Sequence, residues 1–184
     1  MKRFVSVSLS VMLAACLASG PAFCDTAASP KPVDSDSPVK TLFDVSPHTR
    51  KPEFSVLAYF PWYYGFGIGV TGRFAIPIVQ NGFISTLNNS VSIEPGLAIE
   101  YASYGGFGYT LVTPYVLGIW NFYFTEQLRA YGGIGVGAHI GGDYAGSRLY
   151  IDPVVGGYYK LNPTLSLRGE IGYGGPKFGI SIAL

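Results

Sequence analysis

Leu128-Arg129-Ala130-Tyr131-Gly132-Gly133-Ile134-Gly135-Val136-Gly137-Ala138-His139-Ile140 is the stretch that decides how this chain folds. Leu128, Ala130, Ile134, Val136, Ala138 and Ile140 hold one set of alternate positions, and Arg129, Tyr131, Gly133, Gly135, Gly137 and His139 hold the other. Successive side chains of a strand point to opposite faces, so a period of two puts the greasy set on one face and the polar or tiny set on the other. A helix would mix the two sets.

The same alternation recurs along the chain and predicts eight strands. The first spans Glu53 to Phe60, and Pro61 with Trp62, Tyr63 and Tyr64 separates it from the second, Gly65 to Ile78. There Phe66, Ile68, Val70, Phe74, Ile76 and Ile78 oppose Gly67, Gly69, Thr71, Arg73 and Ala75. The third, Val91 to Tyr101, sets Val91, Ile93, Leu97, Ile99 and Tyr101 against Ser92, Glu94, Gly96, Ala98 and Glu100. The fourth, Tyr109 to Phe124, is apolar on both sides, with Val112, Val116, Trp120, Phe122 and Phe124 placed outward. The fifth is the stretch above. The sixth, Arg148 to Tyr159, opposes Leu149, Ile151 and Val155 to Arg148, Asp152 and Gly156. The seventh opposes Leu165, Leu167, Ile171 and Tyr173 to Ser166, Arg168, Glu170 and Gly172, and the last, Lys177 to Leu184, aligns Phe178, Ile180, Ile182 and Leu184.

Composition says which face meets which medium. Charged residues make up 12% of the 184 positions, about half of what soluble domains carry, so much of the surface faces something other than water. Beyond the first twenty residues no apolar run approaches the ~20 residues of a membrane-spanning helix. In hydrocarbon every backbone N–H and C=O must be paired within the protein, so strands can span only by closing into a barrel. The reading is therefore all-β: a closed, antiparallel, eight-stranded transmembrane barrel over residues 53–184, apolar face outward. An even strand number returns both ends of the wall to one side. On that side the turns fall at Lys160 to Pro163, Thr125 to Gln127 and Val79 to Ser90, the last unusually long; external loops fall at Pro61 to Tyr64, Ala102 to Gly108, Gly141 to Gly146 and Gly174 to Pro176. A soluble barrel with the opposite sense would need many more charges outside.

The N-terminus reads as an address. Met1, Lys2 and Arg3 form a positive region, and Phe4 to Leu17 an apolar one too short for an anchor, the pattern of a secretory signal. Cleavage after Ala22-Phe23-Cys24 makes residues 1–24 the signal and removes both cysteines; the rival reading takes Leu13-Ala14-Ala15-Cys16 as a lipobox with Cys16 lipidated. Residues 25–52, with Pro30, Pro32, Pro38, Pro47 and Pro52, read as a disordered periplasmic tail in which His48 is solvated.

The final residues resemble the β-signal read by the outer-membrane barrel-assembly machinery, with Lys177, Gly179, Ile182 and Leu184 at its polar, glycine and two apolar positions. Such signals more often end in an aromatic residue, and Leu184 departs from that. In layout residues 53–184 resemble the OmpA/OmpX-like small barrels, although no motif specific to that family is present. The resemblance implies the bacterial outer membrane as location, with its lipid and the assembly machinery as partners.

Eight strands enclose a lumen that side chains just fill. The inward charges Arg73, Glu94, Glu100, Arg129, Asp152, Arg168 and Glu170, with Arg148 and Lys177, nearly balance and are expected to form a lumenal ion-pair network. The functional expectation is a structural or interaction protein with a packed lumen and an unknown external ligand. The alternatives are a small pore, or a barrel enzyme acting on lipid A by serine, histidine and acid. His139 is the only histidine after residue 52, and Gly141 stands where the deacylase pattern requires serine, with Ser147 and Ser166 on other segments. No catalytic set, metal site or cofactor motif is expected: two distant histidines supply no usual ligand set, and the run Gly132 to Gly137 lacks the lysine of a phosphate loop. A net charge of +1 without a basic run points away from nucleic acid.

Overall fold

The computed structural model describes residues 42–61, 66–104, 107–141 and 148–184. The signal region, both cysteines, most of the tail, the Trp62 to Tyr64 cluster and Ser147 lie outside the described residues. The strands are β1 (Glu53–Tyr59), β2 (Phe66–Val79), β3 (Asn89–Tyr104), β4 (Phe107–Tyr123), β5 (Leu128–His139), β6 (Arg148–Lys160), β7 (Leu165–Gly172) and β8 (Gly175–Ala183). Each pairs antiparallel with its sequence neighbours, and β1 pairs with β8, so the sheet closes into a barrel without an edge. At the seam Glu53 stands opposite Ala183 and Tyr59 opposite Lys177.

The alternation sorts the faces as its period requires. Ile68, Val70, Leu97, Ile99, Ile134, Val136, Leu149, Ile151, Phe178 and Ile180 are exposed on the outer wall. Ser55, Thr71, Arg73, Glu94, Asp152, Arg168, Glu170 and Ser181 are buried in the lumen. On β4 the even-numbered Val112 is exposed, as is Phe124 just past its end, while Leu111, Leu117 and Ile119 are fully buried inside. With Tyr131, Val154 and Tyr158 the latter two form an apolar cluster. The lumen thus holds hydrocarbon beside the charges, a feature the polar face of the other strands does not announce. Inward glycines make room for rings: a Cβ at Gly96 would run into Tyr115, and one at Gly156 into Tyr131.

Four differences from the sequence reading have local causes. First, β3 continues to Tyr104 and β4 begins at Phe107, so strands take up every described residue of the expected loop Ala102 to Gly108. Second, Tyr173 faces inward. β7 ends at Gly172, and the two-residue link to Gly175, which has φ of 103°, releases Tyr173 from strand parity, so that its ring stacks on Tyr150. Third, Arg148 remains exposed at the start of β6.

Fourth, residues 42–52 are engaged by the long β2–β3 connection and not free of the barrel. Leu42 accepts from the Asn88 N–H, the His48 N–H donates to Asn81, and the Arg50 N–H donates to Gln80. The Arg50 guanidinium donates to the Asn88 side chain and lies 3.7 Å over the Tyr123 ring. The connection is itself knotted around Asn89, whose amide donates to the Ile84 and Leu87 carbonyls and accepts from the Trp120 indole at 2.9 Å. Its length supplies the polar partners that a short turn could not.

Candidate functional site

Inward parity brings four of the expected lumenal charges into one cluster, and a fifth, Lys177 of β8, joins it at Glu170. Arg73 comes from β2, Glu94 from β3, and Arg168 and Glu170 from β7; adjacent inward positions of one strand, two residues apart, place the last two side by side. Glu170 is the hub. Both terminal nitrogens of Arg73 donate to it in a forked pair, Arg168 Nη2 reaches it at 3.5 Å, Lys177 Nζ lies at 3.1 Å, and the Tyr131 hydroxyl donates at 2.6 Å. Arg168 spreads its donors over Glu94 (2.7 Å), the Tyr131 hydroxyl (3.0 Å) and Ser55 (3.1 Å). Arg73 Nη1 is 3.7 Å from the same Glu94 oxygen, and its Nε donates to the Tyr115 hydroxyl at 2.7 Å. The rings of Tyr131 and Tyr158 lie 4.9 and 4.7 Å from the Arg168 guanidinium carbon. Opposite charges are thus paired within the protein, the condition under which buried ions persist, while one Glu94 oxygen stays buried without a hydrogen-bond donor.

The other expected members sit apart. Arg129 makes a forked pair with Glu53, at 2.8 and 2.5 Å, and Ser181 donates to the same carboxylate. Glu53 was missed by the sequence reading, though its alternation with Phe54, in phase with Ser55 and Tyr59, marks it as inward. Glu100 accepts from the Tyr59 hydroxyl at 2.7 Å, and Asp152 accepts from the Tyr173 N–H at 2.7 Å. The lumen therefore has three tiers: the Arg129–Glu53 pair beside the β2–β3 connection, the four-charge cluster in the middle, and Glu100 with Asp152 toward the opposite mouth.

The positions of the assembly pattern divide between faces. Lys177 is inward on Glu170, and Ile182 and Leu184 are exposed on the outer wall. Gly179 is wedged at the seam, where a Cβ would strike the Val56 carbonyl and the Leu57 backbone of β1.

His139 is buried at the end of β5, its Nδ1 3.0 Å from the Thr113 hydroxyl and its ring stacked on Tyr150. Ser166 pairs in register with Lys160 beside the β6–β7 turn, whereas His139 pairs with Arg148 at the other end of the sheet. The structure does not bring that serine to that histidine. Among the described residues no group of three or more His, Cys, Asp or Glu side chains is arranged to hold a metal ion.

Outside the strands, His48 lies against the β2–β3 connection. Burial, and then the nearby Arg50 charge, lower its pKa from the ordinary histidine value. No family model and no curated protein sequence matches this chain.

Proposed function

We propose that the chain is an integral barrel of the bacterial outer membrane, with a structural or interaction role and a packed lumen. Residues 1–24 serve as the secretory signal, and Lys177, Gly179, Ile182 and Leu184 serve the assembly machinery. The observation that carries this reading is the inversion of the usual protein: large apolar side chains cover the outer wall while Arg73, Arg168, Glu94 and Glu170 are buried within it. In water an apolar wall of this breadth would drive association; in hydrocarbon it is the ordinary solvent-facing surface. Dimensions agree. At ~3.4 Å per residue and ~45° tilt, the 14 residues of β2 rise ~34 Å, more than the ~25 Å apolar band of an outer-membrane barrel.

The middle tier argues for a packed lumen over a conducting one, since its guanidinium and carboxylate groups are fully buried across the barrel. An apolar wall of the same kind would also suit a lipid-modifying enzyme. The separation of His139 from Ser166 weighs against that reading.

The test is direct. The protein should require detergent for extraction and should migrate differently on gels before and after heating; recovery as a soluble monomer would overturn the proposal. Planar-bilayer recordings should show no stable conductance, and lipid A mass spectra should be the same with and without the protein.

A further inference from the structure

The tier above the ion-pair cluster contains a cavity of about 30 Å³, bordered by Tyr59, Glu100, His139, Tyr150, Asp152 and Tyr173. Its lining carries two carboxylates and one ammonium. Glu100 is 5% exposed; one carboxylate oxygen accepts from Tyr59, while the other is buried with no donor. Asp152, 4% exposed, adds a second carboxylate. Lys177 also borders the cavity; its ammonium lies 3.1 Å from Glu170 below without a hydrogen bond, so one resident cation stands against the two carboxylates. Across from Glu100, three rings from three consecutive segments pack as a triangle, with His139 and Tyr173 6.5 Å apart. His139 and Tyr150 lie 4.5 Å apart at 12°, and Tyr150 and Tyr173 lie 5.1 Å apart at 22°.

We propose that this cavity binds a small organic cation through an ammonium or guanidinium head, which donates to the free Glu100 oxygen and rests on the Tyr150 face. Aromatic faces attract cations through their quadrupole, and the attraction grows when water is excluded. The second carboxylate supplies the charge complement that a cation needs in a low-dielectric interior. Size restricts the occupant: one water needs ~10–15 Å³ on this measure, so the space takes a cationic head group and not a sugar ring. The site uses none of the features that mark the outer wall as membrane-facing, so it stands or falls apart from that reading.

The experiment is amide NMR of the protein folded in detergent micelles, titrated with diaminobutane and, at matched ionic strength, with sodium chloride and with neutral butanediol. Diaminobutane should give saturable shifts at the amides of Glu100, Thr113, His139 and Tyr150, and neither control should. Glu100→Gln keeps an acceptor for Tyr59 and removes the charge; it should weaken affinity about tenfold, the order expected for losing a charge-assisted hydrogen bond. Tyr150→Leu should weaken it as well, while Ser92→Ala, beside the other mouth, should titrate like the parent. Equal shifts from sodium chloride or butanediol would overturn the proposal. Parent-like titration by both Glu100→Gln and Tyr150→Leu would do the same. Should Glu100→Gln lose the folded, heat-modifiable band, Tyr150→Leu alone decides.

Discussion

Truncating Arg168 to alanine removes the group that joins Glu94, Ser55 and Tyr131 in the middle of the barrel. Glu94 then keeps only Arg73 Nη1, at 3.7 Å and already committed to Glu170. Breaking a buried ion pair from one side costs about 3 to 5 kcal/mol, most of it the uncompensated charge left behind. Arg168 is 2% exposed, so no solvent discount applies. The comparator is the next residue, Leu167→Ala. It loses three carbons from a side chain on the outer wall, 47% exposed to the micelle; protein and detergent alike take these carbons out of water, so at ~0.8 kcal/mol per carbon the loss is about 2 kcal/mol. The assay is reversible urea unfolding in micelles, read as the fraction of heat-modifiable folded band. Adding Glu94→Gln to Arg168→Ala should recover part of the loss, with a coupling of about 1 to 3 kcal/mol. An Arg168→Ala protein within about 0.5 kcal/mol of the parent, or one less affected than Leu167→Ala, would refute the lumenal assignment.

Three further outcomes follow from named contacts. Asn89→Ala should cost about 2 to 3 kcal/mol, three hydrogen bonds at about 1 kcal/mol each, and should make residues 80–88 a protease cleavage site in limited digestion. Gly179→Val should fail at the seam, lowering stability by about 1 to 3 kcal/mol through forced backbone displacement. Its refolding yield in detergent alone, with no assembly machinery present, should fall in step. A defect seen only in cells would assign Gly179 to signal reading and not to packing. The pH dependence concerns His48, whose pKa is lower in the folded chain than in the unfolded one. Above pH ~6.5 both states are neutral and nothing is lost. As pH falls below that value the unfolded state binds the proton first, so the hold on residues 42–52 weakens until the folded imidazole is also charged. NMR signals of His48 and Asn81 should report progressive release between neutral and acidic pH, and His48→Gln should flatten the response.

How much of this was legible follows from how far each signal reaches. Strand parity is a local rule, so residues as separate as Arg73, Glu94, Arg168 and Glu170 were placed on one face correctly. Which of them touch depends on register across strands, and that is why Arg129 turned out to pair with Glu53 and not with the middle cluster. Tyr173 escaped because parity ends where a strand ends, one residue earlier than the alternation suggests. The β4 lumenal residues Leu111, Leu117 and Ile119 were hard to place because a strand apolar on both sides carries no period-two contrast. The engagement of residues 42–52 was invisible for another reason. Their composition is that of a chain unable to build a core, yet attachment here needs only backbone groups and one arginine, meeting polar groups presented by the β2–β3 connection.

The three tiers impose different freedoms on the lumen. In the middle, Glu170 receives Arg73, Arg168, Lys177 and Tyr131 together, and opening a path there means breaking at least one buried pair. At about 3 to 5 kcal/mol the opened form would be populated in roughly one molecule in a hundred to one in several thousand. The end tiers differ in sign. Arg50 and Arg129 face a single Glu53 beside the β2–β3 connection, whereas Glu100 and Asp152 face a Lys177 already held from below. On the proposed reading of a packed lumen, the cation site at the Glu100 mouth is therefore reached from that end alone, across from the buried middle tier.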